Sequence, residues 1–260
     1  MTIPLDGILN IWNIFLLVLV RITGMFFLSP IFGRRNIPNY FKVGFCFILT
    51  IIIANSIKVP DITPYQSLTS YIFLIAKELL LGLMMGFISY LIFSAFYIAG
   101  QLIDMRIGFG MVNVFDPISN VQVPITADFY VVLATLFMLA TDSHHLLILA
   151  VSDSYTLIPL GAANFGGTVV KQLVDLFYHV LVIGFRIAAP MTVAILITDV
   201  ALGIISKAMP QMNVFMLGMP LKILLGLFVM LITIAAFKGV VNVIIEGTYR
   251  EIYDFLKNAG

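Results

Sequence analysis

The longest apolar stretch of the chain spans residues 71–103 and reads YIFLIAKELLLGLMMGFISYLIFSAFYIAGQLI. As one helix, these 33 residues would extend about 50 Å, well beyond a hydrocarbon core of about 30 Å. Other apolar runs fall at residues 8–32, 41–57, 125–151, 171–202 and 214–245. The pattern predicts an all-α fold with six transmembrane helices, whose uneven lengths bilayer thickness alone does not explain.

Composition supports a membrane protein and excludes several other classes. Of 260 residues, 61% are hydrophobic and 10% are charged, whereas a soluble chain is about 45–50% apolar and about 25% charged. This balance excludes intrinsic disorder, a collagen and a soluble nucleic-acid binder. The net charge of +1 gives no basic surface for DNA or RNA, so we expect no nucleic-acid partner. A single cysteine, Cys46, excludes an internal disulfide and a cysteine-based metal cluster.

Charged residues lie inside five of the six apolar runs: Arg21, Lys77, Glu78, Asp128, Asp142, Arg186, Asp199, Lys222 and Lys238. Such a charge at the centre of a membrane helix costs about 2.5–3.5 kcal/mol on insertion scales, so it faces protein or a watery cavity. For any one of them, an ion pair between helices of the same chain is an open alternative. Together they predict helices with many protein neighbours and little lipid contact.

Small residues predict close helix contacts at one place. Gly82 and Gly86 form a Gly-x-x-x-Gly step that Ser89 continues along the same face, which is typical of helix docking or dimerisation in membranes. At the C-terminus, residues 246–260 alternate apolar and charged positions with helical spacing, which predicts an amphipathic tail that docks a partner.

No catalytic constellation is visible in the sequence. Gly108-Phe109-Gly110 lacks the remaining glycine of a dinucleotide-binding loop. His144 and His145 are adjacent, so on a helix they point about a quarter-turn or more apart. We therefore expect that they do not bind the same metal ion. We therefore expect no catalytic residue, no cofactor and no metal site, and a protein that is not an enzyme.

The stretch 100–119 reads GQLIDMRIGFGMVNVFDPIS, in which glycines alternate with bulky apolar residues before Asp116-Pro117. Non-helical backbone beside membrane segments is tolerated only where it is buried in protein or lines a cavity. A glycine-hinged loop with apolar tips can close a pore. Composition alone leaves two interpretations open, a gate and a plain surface loop.

At this stretch the sequence resembles the FliR family of flagellar export-apparatus proteins and, more distantly, their SctT-type counterparts in virulence secretion. Matches run in order along most of the chain, at residues 21–24, 29–33, 36–38, 100–110, 116–117, 144–145, 154–155, 159, 188–190, 203–215 and 218–222. One departure is Lys207, where the family has Arg as often; the charge is kept.

The resemblance implies a subunit of the export gate in the bacterial inner membrane, multi-pass and located at the flagellar basal body. A FliP-like part of about residues 1–170, containing a plug loop at 105–119, would join a FliQ-like helical pair at about 171–245 and the tail at 246–260. A single FliR copy would assemble with FliP and FliQ in a right-handed spiral around a conduit. FlhB, membrane lipid and unfolded exported proteins are the other implied partners.

The resemblance also implies roles for particular residues. The plug would comprise Met105, Arg106, Ile107, Gly108, Phe109, Gly110, Met111, Val112, Asn113, Val114 and Phe115. The candidate charges between subunits are Arg186, Asp199, Lys207 and Lys222, with pairing inside this chain as the alternative.

Two other functions are weighed against the flagellar gate. One is the equivalent subunit of a virulence injectisome. The other is a small-solute secondary transporter, a class often built from inverted repeats with paired broken helices. The breaks at 104–124 and 203–213 are not alike and no repeat is visible, which disfavours the transporter.

Overall fold

A computed structural model of the chain describes residues 5–34, 36–57, 68–109, 124–211 and 213–260. Its helices are α1 (Leu5–Leu28), α2 (Asn39–Ser56), α3 (Leu68–Ile107), α4 (Ile125–Ala140), α5 (His144–Leu157), α6 (Gly167–Ala208) and α7 (Val214–Ala259). Every regular element within these ranges is helical, which confirms the predicted all-α class. By length and composition, α1, α2, α3, α6 and α7 could each cross a membrane.

Prolines set many of the helix boundaries. Helices α1, α5 and α6 each end two residues before a proline, at Pro30, Pro159 and Pro210, because the residue that precedes proline disfavours the helical conformation. Helices α2 and α4 begin directly after Pro38 and Pro124, where the missing N–H costs nothing since the first N–H groups of a helix have no partner inside it.

The apolar run 125–151 does not form one helix, so that part of the prediction is wrong. A turn at residues 141–143 separates α4 from α5, and the bent pair would count as the sixth span. Asp142 in this turn has φ +55°, a left-handed conformation that ends a helix and that Asp tolerates better than most residues. Residues 246–260, predicted as an amphipathic tail, are the last part of α7, which continues to Ala259; the tail's role in docking a partner stays a prediction.

The helices belong to two compact units made of interleaved segments. The first contains Met1–Ile92, Asp142–Leu176 and Glu246–Gly260, and the second contains Phe93–Thr141 and Phe177–Ile245. These units do not follow chain order. The division near residue 170 into FliP-like and FliQ-like parts concerns ancestry rather than contacts, and it stays a prediction.

In the second unit, Phe237 of α7 is the centre of an aromatic core. Its ring centroid lies 5.4 Å from that of Phe96 on α3, and 5.2 and 6.2 Å from those of Tyr130 and Phe137 on α4. Aromatic pairs at such separations add about 0.5–1.5 kcal/mol to the apolar area they bury. These contacts join three helices that are distant in the chain.

In the first unit, the small-residue face of α3 lies against α1. A Cβ atom added to Gly82 would lie 2.1 Å from the carbonyl oxygen of Arg21, and one added to Gly86 would lie 2.5 Å from that of Met25. Gly24 makes the reverse contact, with its Cβ position 2.9 Å from the carbonyl oxygen of Leu79. The two helix backbones therefore approach so closely that no side chain fits between them.

We expect Gly82→Ala to lower the stability of the first unit by about 1–3 kcal/mol, because the added methyl forces the backbones apart. The matched control is Gly44→Ala in α2, where an added Cβ meets nothing within 4 Å. Thermal unfolding of both variants in detergent measures the difference. Equal unfolding midpoints for the two variants would contradict the close contact.

Candidate functional site

The carboxylate of Asp104 links the two helices, α3 and α4, that flank the predicted plug loop at 105–119. Asp104 lies one turn before the end of α3 and is buried. Its two oxygens accept the backbone N–H of Thr126 at 3.2 and 3.1 Å. Thr126 is the second residue of α4, whose first N–H groups have no partner within the helix. The negative charge also matches the dipole at that end of α4.

One turn earlier, Gly100 brings the backbones of α3 and α4 into direct contact. A Cβ atom at Gly100 would lie 2.2 Å from the Cα atom and 2.3 Å from the nitrogen of Ala127. Residues four apart lie on the same face of a helix, so Gly100 and Asp104 contact α4 together. We call this pair of contacts the loop stem. It fixes where the chain leaves α3 and where it enters α4.

The structure describes only the first part of the predicted plug. Met105 and Arg106 lie in the last turn of α3 and are exposed, Met105 at 71%. Phe109 is half-buried. The predicted plug residues at 110–115 lie outside the described residues, so the structure gives no account of them.

Two further plug residues, Ile107 and Gly108, form the end of α3 and the turn after it. Ile107 is buried, and its Cδ1 lies 2.8 Å from where a Cβ of Gly226 on α7 would be. This close contact anchors the end of α3 to α7 within the second unit. Gly108 follows with φ +98°, a conformation that favours glycine and ends the helix.

The first unit contains a buried ion pair between α1 and α3. Arg21 Nε donates to Glu78 Oε2 at 2.6 Å, and both side chains are fully buried. Nη1 of Arg21 donates to the carbonyl oxygen and Oγ of Ser154 at 3.0 and 3.1 Å, and to the carbonyl oxygen of Ile158 at 3.1 Å. The guanidinium therefore satisfies the end of α5 as well as Glu78.

The partners of the pair are themselves held in place. Glu78 Oε1 accepts the N–H of Gly161 at 2.8 Å. The Tyr155 ring lies under the guanidinium, 4.3 Å from the Arg21 Cζ to the ring centroid, and its hydroxyl donates to the carbonyl oxygen of Val18 at 3.1 Å. We call Arg21, Glu78, Ser154 and Tyr155 the buried charge cluster.

The four charged residues that were predicted to contact other subunits divide into two groups. Lys222 and Asp199 form an ion pair inside the chain, between α7 and α6, and both are partly exposed. Arg186 and Lys207 are exposed on α6. Neither has an ion-pair partner among the residues that the structure describes.

The imidazole rings of His144 and His145 lie side by side, although the argument from helix geometry predicts that they point apart. The ring centroids of His144 and His145 lie 4.2 Å apart, and ligand atoms of both, together with one of Asp142, lie within 4.8 Å of one another. The Cβ atoms of adjacent helical residues point apart, but that angle does not set the distance between the two imidazole rings. At the first residues of α5, rotation about the side-chain torsions brings the rings together.

Sequence reasoning missed the loop stem and most of the buried charge cluster. Asp104 and Gly100 were visible only as part of a family motif, although a carboxylate just before a loop is a recognisable anchor for the helix that follows it. Ser154 and Tyr155 matched the family but carried no assigned role. A buried arginine needs several acceptors, and a search for acceptors of Arg21 is the signal that sequence reasoning did not use.

A buried ion pair, backbone contacts through glycine and several candidate spans together define a multi-pass helical membrane protein. Residues 12–248 match the family described as bacterial export proteins, family 1. The chain therefore belongs to this family and, by the relatives that follow, to its FliR proteins.

Curated relatives agree along nearly the whole chain. The flagellar biosynthetic protein FliR of Bacillus subtilis (strain 168) is 34% identical over 257 residues, covering 98% of this chain and 97% of the relative. The protein of the same name from Aquifex aeolicus (strain VF5) is 32% identical, covering 84% of each chain. That of Escherichia coli (strain K12) is 25% identical, covering 94% and 91%. These matches confirm the resemblance seen in the sequence.

We expect Arg21→Met or Glu78→Met alone to destabilise the protein by about 3–5 kcal/mol, because each leaves one buried charge unpaired. The double variant should regain most of that loss, since it removes both charges. Lys171→Gln, at an exposed position of the first unit, is the control and should change stability by less than about 0.5 kcal/mol. Unfolding of all four variants in detergent gives the double-mutant cycle. Additive losses would show that the two charges do not act as a pair.

Proposed function

We propose that this chain is a structural and gating subunit of the flagellar protein export gate, with no catalytic role. In this proposal it forms, with FliP and FliQ, the conduit through which unfolded flagellar proteins are secreted. The observation that carries it is the family match over residues 12–248. The relatives' names state a role in flagellar biosynthesis, which favours a flagellar over an injectisome assignment. Its location would be the cell membrane at the flagellar base.

The exposed apolar surface of the second unit supports a role inside a larger assembly. On α7, Leu224, Phe228 and Leu231 are 69%, 63% and 69% exposed, and their spacing places them on one face. Water does not stably cover such a face, so lipid or a partner helix covers it. FliP and FliQ are the proposed partners, with one copy of this chain in each complex and FlhB as a further partner.

The loop stem supports a gating role for residues 105–115. A plug has to return to one position after a substrate has passed, which requires a rigid base. Asp104 and Gly100 supply that base between α3 and α4, while Ile107 anchors it on α7. Under this proposal Gly108, at φ +98°, is the point where the chain leaves the fixed end of α3.

Interface roles are proposed for the exposed charges. Arg186 and Lys207 have no ion-pair partner among the described residues, which supports pairing with another subunit. For Asp199 and Lys222, the pair inside the chain is the competing explanation.

Co-expression with FliP and FliQ tests the assembly. Native mass spectrometry of the tagged chain in mild detergent should give one large complex that contains a single copy of it. A stable monomer or homodimer would overturn the proposal. Within this experiment, Arg186→Glu and Lys207→Glu should reduce co-purification. Asp199→Lys should be rescued by Lys222→Asp if that pair acts inside the chain, and not if each residue contacts a partner.

The gate is tested by replacing residues 109–115 with Gly and Ser at equal length, which leaves Asp104 and Ile107 intact. Loss of the apolar tips should raise ion conductance of the complex in planar bilayers severalfold in the absence of substrate. The matched control is the same replacement at residues 61–67, which also join two helices. An unchanged leak in the first variant, or an equal leak in both, would overturn the gating role.

A further inference from the structure

We propose that Asp142, His144 and His145 form a binding site for a borderline divalent cation, Zn²⁺ in the cell. The three residues lie in the turn before α5 and in its first turn, within the first unit. One ligand atom from each lies within 4.8 Å of the others. Metal bonds of about 2.1 Å place the ligand atoms of a tetrahedral site about 3.4 Å apart, so side-chain rotations that move each ligand atom by about 1 Å bring all three to an ion.

A second observation points to a ligand at the same place. The Nδ1 atom of His144 is buried, and it has no hydrogen-bond partner in the part of the chain that the structure describes. A buried polar atom without a partner is rare in folded proteins and calls for an explanation. Coordination of a cation through Nδ1 of His144 gives one, because the ion would then take the lone pair of the buried nitrogen and leave the proton on the other ring nitrogen.

The backbone of the turn positions the carboxylate beside the two rings. Asp142 has φ +55°, and its carbonyl oxygen accepts the N–H of His145 at 3.0 Å. This bond fixes the separation of Asp142 and His145. Unusual backbone conformations at non-glycine residues concentrate at functional sites. Here the conformation keeps an anion within reach of two imidazoles.

The donor set selects the class of metal. Imidazole nitrogen suits Zn²⁺, Cu²⁺, Ni²⁺ and Fe²⁺, whereas Ca²⁺ and Mg²⁺ prefer sites built from oxygen alone. Among these ions Zn²⁺ readily accepts a tetrahedral site of two His and one Asp, with water in the fourth position. Three protein ligands in an exposed turn predict a reversible site rather than a permanently filled one.

The test uses the full-length chain, purified in detergent with an affinity tag that contains no histidine. Co²⁺ is added and followed by its visible d–d absorption, and Zn²⁺ is then used to displace it. The wild type should bind one equivalent. His144→Ala and His145→Ala should each weaken binding by at least the 10–100-fold that loss of a supporting contact costs.

Two further variants separate coordination from folding. Asp142→Gly removes the carboxylate but accepts φ +55° without strain, so it should fold normally and bind at least about 10-fold more weakly. His179→Ala removes the remaining histidine of the chain, which is exposed on α6, and it should keep wild-type affinity. Zn²⁺ should also raise the unfolding midpoint of the wild type and of His179→Ala, because binding to the native state alone stabilises it.

Three outcomes would overturn the proposal. One is the absence of saturable Co²⁺ absorption in the wild type, and another is unchanged affinity in Asp142→Gly. The third is an equal loss of affinity in His179→Ala, which would indicate unspecific binding to histidine. If the alanine variants at 144 and 145 fail to fold, Asp142→Gly against His179→Ala decides the question.

Discussion

A guanidinium and a carboxylate, both fully removed from water, hold together segments of the first unit that are far apart in the chain. Arg21 bonds to Glu78 and to groups at Ser154 and Ile158. Desolvation offsets much of the attraction in such a pair, so its net contribution to stability is small. Its larger effect is to destabilise every other arrangement of the helices in which the two charged side chains are buried apart from each other. Helices α1, α3 and α5 must therefore meet in one register.

The glycine contacts depend on the same register. Glu78 and Gly82 are one turn apart on α3, and both contact Arg21. Glu78 pairs with the Arg21 side chain, and Gly82 packs against the Arg21 carbonyl oxygen. A slip of one turn along α3 would leave the guanidinium opposite the wrong residue and would place a side chain where only glycine fits. Charge and close packing thus select the same alignment, which is the mutual consistency expected of a well-specified fold.

Sequence patterns located the helices because run length, apolar composition and proline act locally. They predicted the long α3 and the close contact at Gly82 and Gly86, and the family resemblance added the function. They did not separate α4 from α5, because the interruption at residues 141–143 is too short to be detected when hydropathy is averaged over a long window. They also did not pair Arg21 with Glu78, since that choice among several interior charges depends on tertiary structure alone.

The partners within the loop stem could not be predicted for a related reason, although a carboxylate just before a loop suggests an anchor. A carboxylate at position 104 and an N–H at position 126 become partners only after α3 and α4 have packed through Gly100. Once packed, the stem also depends on α7, because Ile107 contacts α7 at Gly226. Leu224 and Phe228 are exposed on the opposite face of that helix. A partner helix that binds Leu224 and Phe228 and shifts α7 would therefore move the Ile107 anchor as well. The proposed partner surface and the anchor of the proposed gate therefore lie on the same helix.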